Sequence, residues 1–100
     1  MAIENLNKET ILAFLRENKP LFKKKFAVDE IILFGSFARD EGTDKSDVDI
    51  MIESKDKSFR SLVSLRYFLE EAFGTKVDVM YKDSVHPFIM RFLKEDLVYA

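Results

Sequence analysis

This 100-residue sequence predicts an α/β (α+β) fold in which a small mixed β-sheet is backed by helices, and three observations carry that expectation. Short β-branched or apolar runs fall at 30–34, 47–53 and 76–81, each bounded by glycine or by charged turn residues. Two longer stretches, 7–18 and 58–73, instead repeat their apolar residues at helical spacing. The second of these lies between two of the strand-like runs, so strands and helices belong to one layered unit.

In chain order, Ile11, Leu12, Phe14 and Leu15 form the apolar stripe of a first helix among Lys8, Glu9, Arg16 and Glu17. Pro20 disfavours its continuation but suits the first turn of another helix, so 21–26 reads as a short second one. The Lys23-Lys24-Lys25 run on it reads as a solvated face, with phosphate binding the lesser alternative. Glu30-Ile31-Ile32-Leu33-Phe34, stopped by Gly35, has the pattern of a strand buried on both faces. Residues 40–46, DEGTDKS, concentrate turn residues into an exposed loop, and a second strand runs from Asp47 to Glu53. Phe59, Leu62, Leu65, Leu69 and Phe73 make the stripe of the 58–73 helix, with Gly74 at its expected left-handed cap. Lys76 to Tyr81 alternates, with Val77 and Val79 on one face and Asp78 and Met80 on the other. HPFIMRFLKE reads as a helix beginning near Pro87, with His86 at its start, and the terminal LVYA as a short strand or a tail. The order is α, α, β, short α, β, α, β, α.

Composition narrows the function classes. With 47% hydrophobic and 34% charged residues and a net charge of -2, the chain is an ordinary globular one with no general affinity for nucleic acid. The absence of cysteine excludes a disulfide framework, a thiolate metal site and a cysteine nucleophile. The N-terminus lacks a basic region followed by an apolar core, and no apolar run approaches the ~18 residues of a membrane span. Residues 1–100 read as one domain of a soluble, cytoplasmic protein.

The chemistry-bearing stretch is GSFARDEGTDKSDVDIMIE, residues 35–53. Asp47 and Asp49 are two apart on a strand, so they share a face with Cα atoms roughly 6.5–7 Å apart, while Val48, Ile50 and Ile52 take the other. Carboxylates this close repel one another and lose hydration, and a divalent cation relieves both costs. Magnesium is the natural candidate. Asp78, on its own strand, could add a third oxygen ligand for a two-metal arrangement and act as general base for an attacking hydroxyl. Gly35 and Ser36 end a buried strand ahead of an expected short helix at Phe37-Ala38-Arg39, where N–H groups and a hydroxyl can meet an anion. Arg39 could add a bidentate phosphate contact. Ser36 could equally cap that helix, and Ser46 reads as a cap of the loop.

Gly35-Ser36, ten intervening residues, then Asp47-Val48-Asp49 reproduces the GS-x10-D-x-D signature. Leu33-Phe34 before it, Phe37-Ala38-Arg39 after it and the DVM of the third strand extend the match. The chain resembles a minimal nucleotidyltransferase of the DNA polymerase β-like superfamily, a group that includes MntA-type antitoxins paired with HEPN toxins. The resemblance implies a nucleotidyltransferase fold and a transfer of AMP from ATP, with Asp47, Asp49 and Asp78 binding two Mg²⁺ ions. It also implies that Gly35, Ser36 and Arg39 hold the nucleotide and that the acceptor is a hydroxyl on a HEPN partner. Asp40 departs from the pattern, because many members carry glycine there. No helical substrate domain follows, so the acceptor comes from a partner or from a homo-oligomer. Two other readings stand beside this one: an antitoxin acting by occlusion, and an aminoglycoside-type small-molecule transferase. Phe68, roughly 120° around its helix from the apolar stripe, is the candidate oligomer or partner contact, and Arg66 lies close to the stripe as a snorkelling side chain.

Overall fold

The computed structural model describes residues 3–100. Helix α1 spans Lys8–Glu17, and its start is fixed by a capping box. Thr10 N–H donates to Asn7 Oδ1 (3.0 Å) while Asn7 N–H donates to Thr10 Oγ1 (2.9 Å). Asn18 ends it, its side-chain amide donating to Phe14 O at 2.8 Å. Helix α2, Lys19–Phe26, follows at once with Pro20 in its first turn and closes on Ala27 in the left-handed region at φ 59°. Lys23, Lys24 and Lys25 are all exposed on it, as a solvated face should be.

Strand β1 is Glu30–Phe34 and strand β2 is Val48–Glu53. Helix α3, Phe59–Phe73, is capped by Ser58 and closed by Gly74 at φ 69°. Strand β3, Val77–Tyr81, comes next, and Lys82–Ser84 makes one 3₁₀ turn. Helix α4, Pro87–Leu93, starts where His86 Nδ1 accepts from Phe88 N–H at 3.0 Å. A second 3₁₀ turn, Lys94–Asp96, leads to strand β4, Val98–Tyr99, so the terminal LVYA is a short strand. The sheet order is β3-β2-β1-β4, with β2 and β3 parallel and the other pairs antiparallel. The mixed sheet follows from α3, which carries the chain back across so that β3 runs beside β2 in the same direction.

Alternation along the strands divides the core. Ile31, Leu33, Val48, Ile50, Ile52 and Val77 face α1, α2 and α3 in the main cluster. Ile32, Phe34 and Met51 face α4, with Met80, Met90 and Leu93 packed around them. β1 is therefore buried on both sides, as its continuous apolar run requires. Phe68 differs from the sequence expectation of a partner contact. Its ring lies 6.2 Å from Phe14, 5.9 Å from Phe22 and 5.8 Å from Phe26, an aromatic cluster joining all three helices of the main face. Arg66 lays its guanidinium over the Tyr67 ring, 5.1 Å from the centroid, with Nε withdrawn from solvent.

Candidate active site

Strand direction gathers the predicted residues at one end of the sheet. β1 runs against β2, so its last residue, Phe34, pairs with Asp49, and Gly35 emerges beside it. β2 and β3 run together, so their starts align and Asp49 pairs with Asp78. Residues in register on neighbouring strands sit about 4.8 Å apart and share a face. Asp49 lies between the fully buried Val48 and Ile50 of the main core, which turns it to the α4 side. Asp47 falls just before β2, which begins one residue later than the start at Asp47 expected from sequence. Val48 N–H donates to Lys76 O (3.0 Å), and Thr75 Oγ1 donates to Ser46 O (3.5 Å), so the loop entering Asp47 is pinned to the approach of β3. Ser46 organises that loop, as expected, by accepting from Thr43 N–H at 3.0 Å.

Gly35 is needed here for two reasons. Its φ is +78°, a region side chains disfavour, and a Cβ at this position would lie 2.2 Å from Asp49 Oδ2. The carboxylate occupies the space a side chain would take. The carboxyl of Asp49 is correspondingly held above its ordinary range, first by burial and then by the charges of Asp78 and Asp47, with Arg39 partly opposing them.

After Gly35 the chain makes a turn where a short helix was expected. Arg39 N–H is shared between Gly35 O (3.2 Å) and Ser36 O (3.1 Å), and Glu41 N–H donates to Ser36 O at 2.8 Å. Asp40 then adopts φ 58°, which reverses the chain before a second helical turn can form. Aspartate tolerates this conformation better than most residues, and glycine tolerates it without strain. Asp40 thus keeps a backbone shape natural to the glycine usual at this place. Phe37 and Ala38 are buried in the main core, and Gly42 packs where a Cβ would meet the Phe37 ring at 2.3 Å. The turn is anchored on one side of the sheet while its polar residues stay at the acidic end.

Arg39 is engaged by protein groups. Its Nε donates to Glu41 Oε1 (3.1 Å) and its Nη1 to Asp96 Oδ2 (3.3 Å). Glu41 lies two residues along the same turn, whereas Asp96 arrives from the far end of the sequence and is not foreseeable from the motif.

Among the described residues, no group of three His, Asp or Glu side chains converges closely enough to enclose a metal ion. The donor chemistry nevertheless fits a hard divalent cation. Mg²⁺ is ordinarily held by one or two carboxylates plus substrate phosphates and water, not by an all-protein cage. Asp49, crowded by two other acids and partly desolvated, is the group such a cation would relieve.

A fold of this topology with acids and a glycine turn at one sheet end is that of a nucleotidyltransferase. The chain belongs to the nucleotidyltransferase domain family, whose profile matches residues 11–100, and within it to the minimal type. A Methanocaldococcus jannaschii chain named a putative protein adenylyltransferase is 42% identical over 94 residues, covering 90% of this chain and 94% of that one. The protein adenylyltransferase MntA of Thermococcus cleftensis is 33% identical over 96 residues, covering 95% and 97%. Among solved structures, one titled as a minimal nucleotidyltransferase superposes with a TM-score of 0.79 at 21% identity, over 96% of this chain and 98% of that one. A toxin–antitoxin crystal structure with AMP-PNP superposes with a TM-score of 0.59 at 27% identity, over 84% and 64%.

Proposed function

We propose that residues 1–100 act as one catalytic domain that transfers AMP from ATP to a hydroxyl of a protein partner, in the role of an antitoxin acting on a HEPN toxin in the cytoplasm. The observation that carries the reading is the packing of Asp49 against Gly35 with Asp78 in register beside it. Phosphate cradle and acids are thereby one structure. The names of the relatives support adenylylation of a protein, and the AMP-PNP complex supports an adenine nucleotide as donor.

In this reading the backbone N–H groups of the Gly35–Ser36 turn and the Ser36 hydroxyl donate to the triphosphate, and Arg39 meets a phosphate oxygen. Asp47, Asp49 and Asp78 would hold Mg²⁺, which when bound would neutralise charge on the attacking and leaving oxygens. The acceptor oxygen attacks the α-phosphorus, its proton passes to the Asp78 carboxylate, and the bond to the β-phosphate breaks to release pyrophosphate. Holding donor and acceptor in line at one sheet end supplies the orientation that a bimolecular reaction in water lacks.

Incubation of the chain with α-labelled ATP, Mg²⁺ and the product of the neighbouring gene tests this. Label on the partner that disappears with Asp47→Asn is expected, and transfer to no acceptor would end the enzymatic reading. A binding role by occlusion has one observation in its favour: Phe88, Ile89 and Phe92 are exposed on α4. Unchanged neutralisation of the toxin by the Asp47→Asn, Asp49→Asn double variant would select it.

A further inference from the structure

We propose that Asp96, assisted by Glu41, is a positioning residue that fixes the Arg39 guanidinium for an incoming nucleoside triphosphate. The inference rests on the reading that Arg39 meets phosphate, and adds how the chain prepares it to do so.

Arg39 leaves the Gly35–Ser36 turn with its side chain 40% exposed, a situation in which a long flexible chain ordinarily samples many rotamers. Here it is held at two points. Glu41 takes Nε from within the same turn, and Asp96 takes Nη1 from the 3₁₀ segment between α4 and β4. Two bonds to a planar fork fix its plane as well as its reach. Both use Nε and Nη1, so the Nη2 corner keeps its two donors for an anion.

Asp96 is the firmer of the two holds, with its side chain 27% exposed against 65% for Glu41. It also ties the turn to the segment that joins α4 to β4. Solvent-exposed ion pairs contribute little to stability, so a pair of this kind bridging distant parts of the chain is better explained by orientation. Ordering the side chain before the ligand arrives removes that cost from binding. Arg39 N–H also donates to the carbonyl of Gly35, the residue against which the Asp49 carboxylate packs, so the arginine leaves the chain beside the acids.

The test is titration of the full chain with a fluorescent ATP analogue in the presence of Mg²⁺, with thermal melting followed in parallel. Asp96→Asn is expected to raise Kd roughly three- to tenfold, the scale of one long side chain left to be ordered on binding, while melting changes little. Asp96→Glu should recover most of the affinity, and Glu41→Gln should give a smaller loss. Arg39→Ala should weaken binding at least as much, and adding Asp96→Asn to it should cost nothing more, because the two residues act through one contact. Unchanged or tighter binding by a folded Asp96→Asn chain overturns the proposal, the latter result meaning that the acid competes with phosphate. If Asp96→Asn melts, Asp96→Glu and Glu41→Gln decide by the same criteria. A wild-type chain that binds no nucleotide removes the transferase reading and this inference together, whereas normal wild-type binding with an indifferent Asp96→Asn removes only this one.

Discussion

The two faces of the sheet are built to different depths. Among the described residues, α1, α2 and α3 cover a cluster of 18 buried residues on one face, and α4 covers a cluster of three on the other. The three acids and the Gly35–Ser36 turn sit at the edge of the thinner face. A deep core tolerates no unpaired charge, and a site for a triphosphate must admit water, ions and an acceptor. The division therefore lets one side hold the fold while the other stays open to ligands.

The largest expected effect compares equivalent truncations on the two sides. Leu69 is fully buried in the main core, and Leu69→Ala should destabilise the chain by about 2–5 kcal/mol. Leu93, partly buried at the smaller cluster, should cost about half as much or less when cut to alanine, because solvent already reaches it. Denaturant unfolding of both variants checks the asymmetry, and equal losses would break it.

Asp49→Asn separates activity from stability. Transfer should fall at least about a hundredfold, since metal-held charge stabilisation is worth several kcal/mol. The metal-free fold should gain stability at neutral pH. The carboxyl of Asp49 is raised in the folded chain, so the folded state binds that proton more tightly than the unfolded state does. Its favourable contribution is complete below the unfolded value and is lost as pH rises through the folded one. Melting in EDTA should thus favour the asparagine variant at pH 7, with the advantage shrinking as the solution is acidified.

Much of this asymmetry is legible in the sequence. The unbroken run of β1 announces burial on two sides, and the alternation of β2 and β3 assigns Asp49 and Asp78 to the face opposite the valines. Their register does not follow from spacing, because it depends on how α3 returns the chain. The helix expected at Phe37–Arg39 becomes a turn because of a single left-handed residue, Asp40, which no periodicity reveals. For Phe68 the angular position is informative, but a helical wheel cannot say how many neighbours surround a helix, and α1 and α2 close over that side. Asp96 carries no motif, and only the folded chain brings it to Arg39.

The smallest effect lies on the deep face, at the end of α2. Ala27 holds φ 59° where glycine would be unstrained, so Ala27→Gly should stabilise the chain by about 1 kcal/mol, some 4–8 °C in melting temperature. Transfer should be unchanged, since the cap is remote from the acids. A gain in stability accompanied by a change in transfer would show the two faces to be coupled.

The contact between Gly35 and Asp49 has a consequence for genetics. A side chain at residue 35 would claim the volume of the Asp49 carboxylate, so the two positions cannot vary independently. In a saturation library scored for activity alone, Gly35 would appear as intolerant as an essential acid, although all it offers a ligand is backbone that every residue carries. Its intolerance would be a shadow cast by its neighbour.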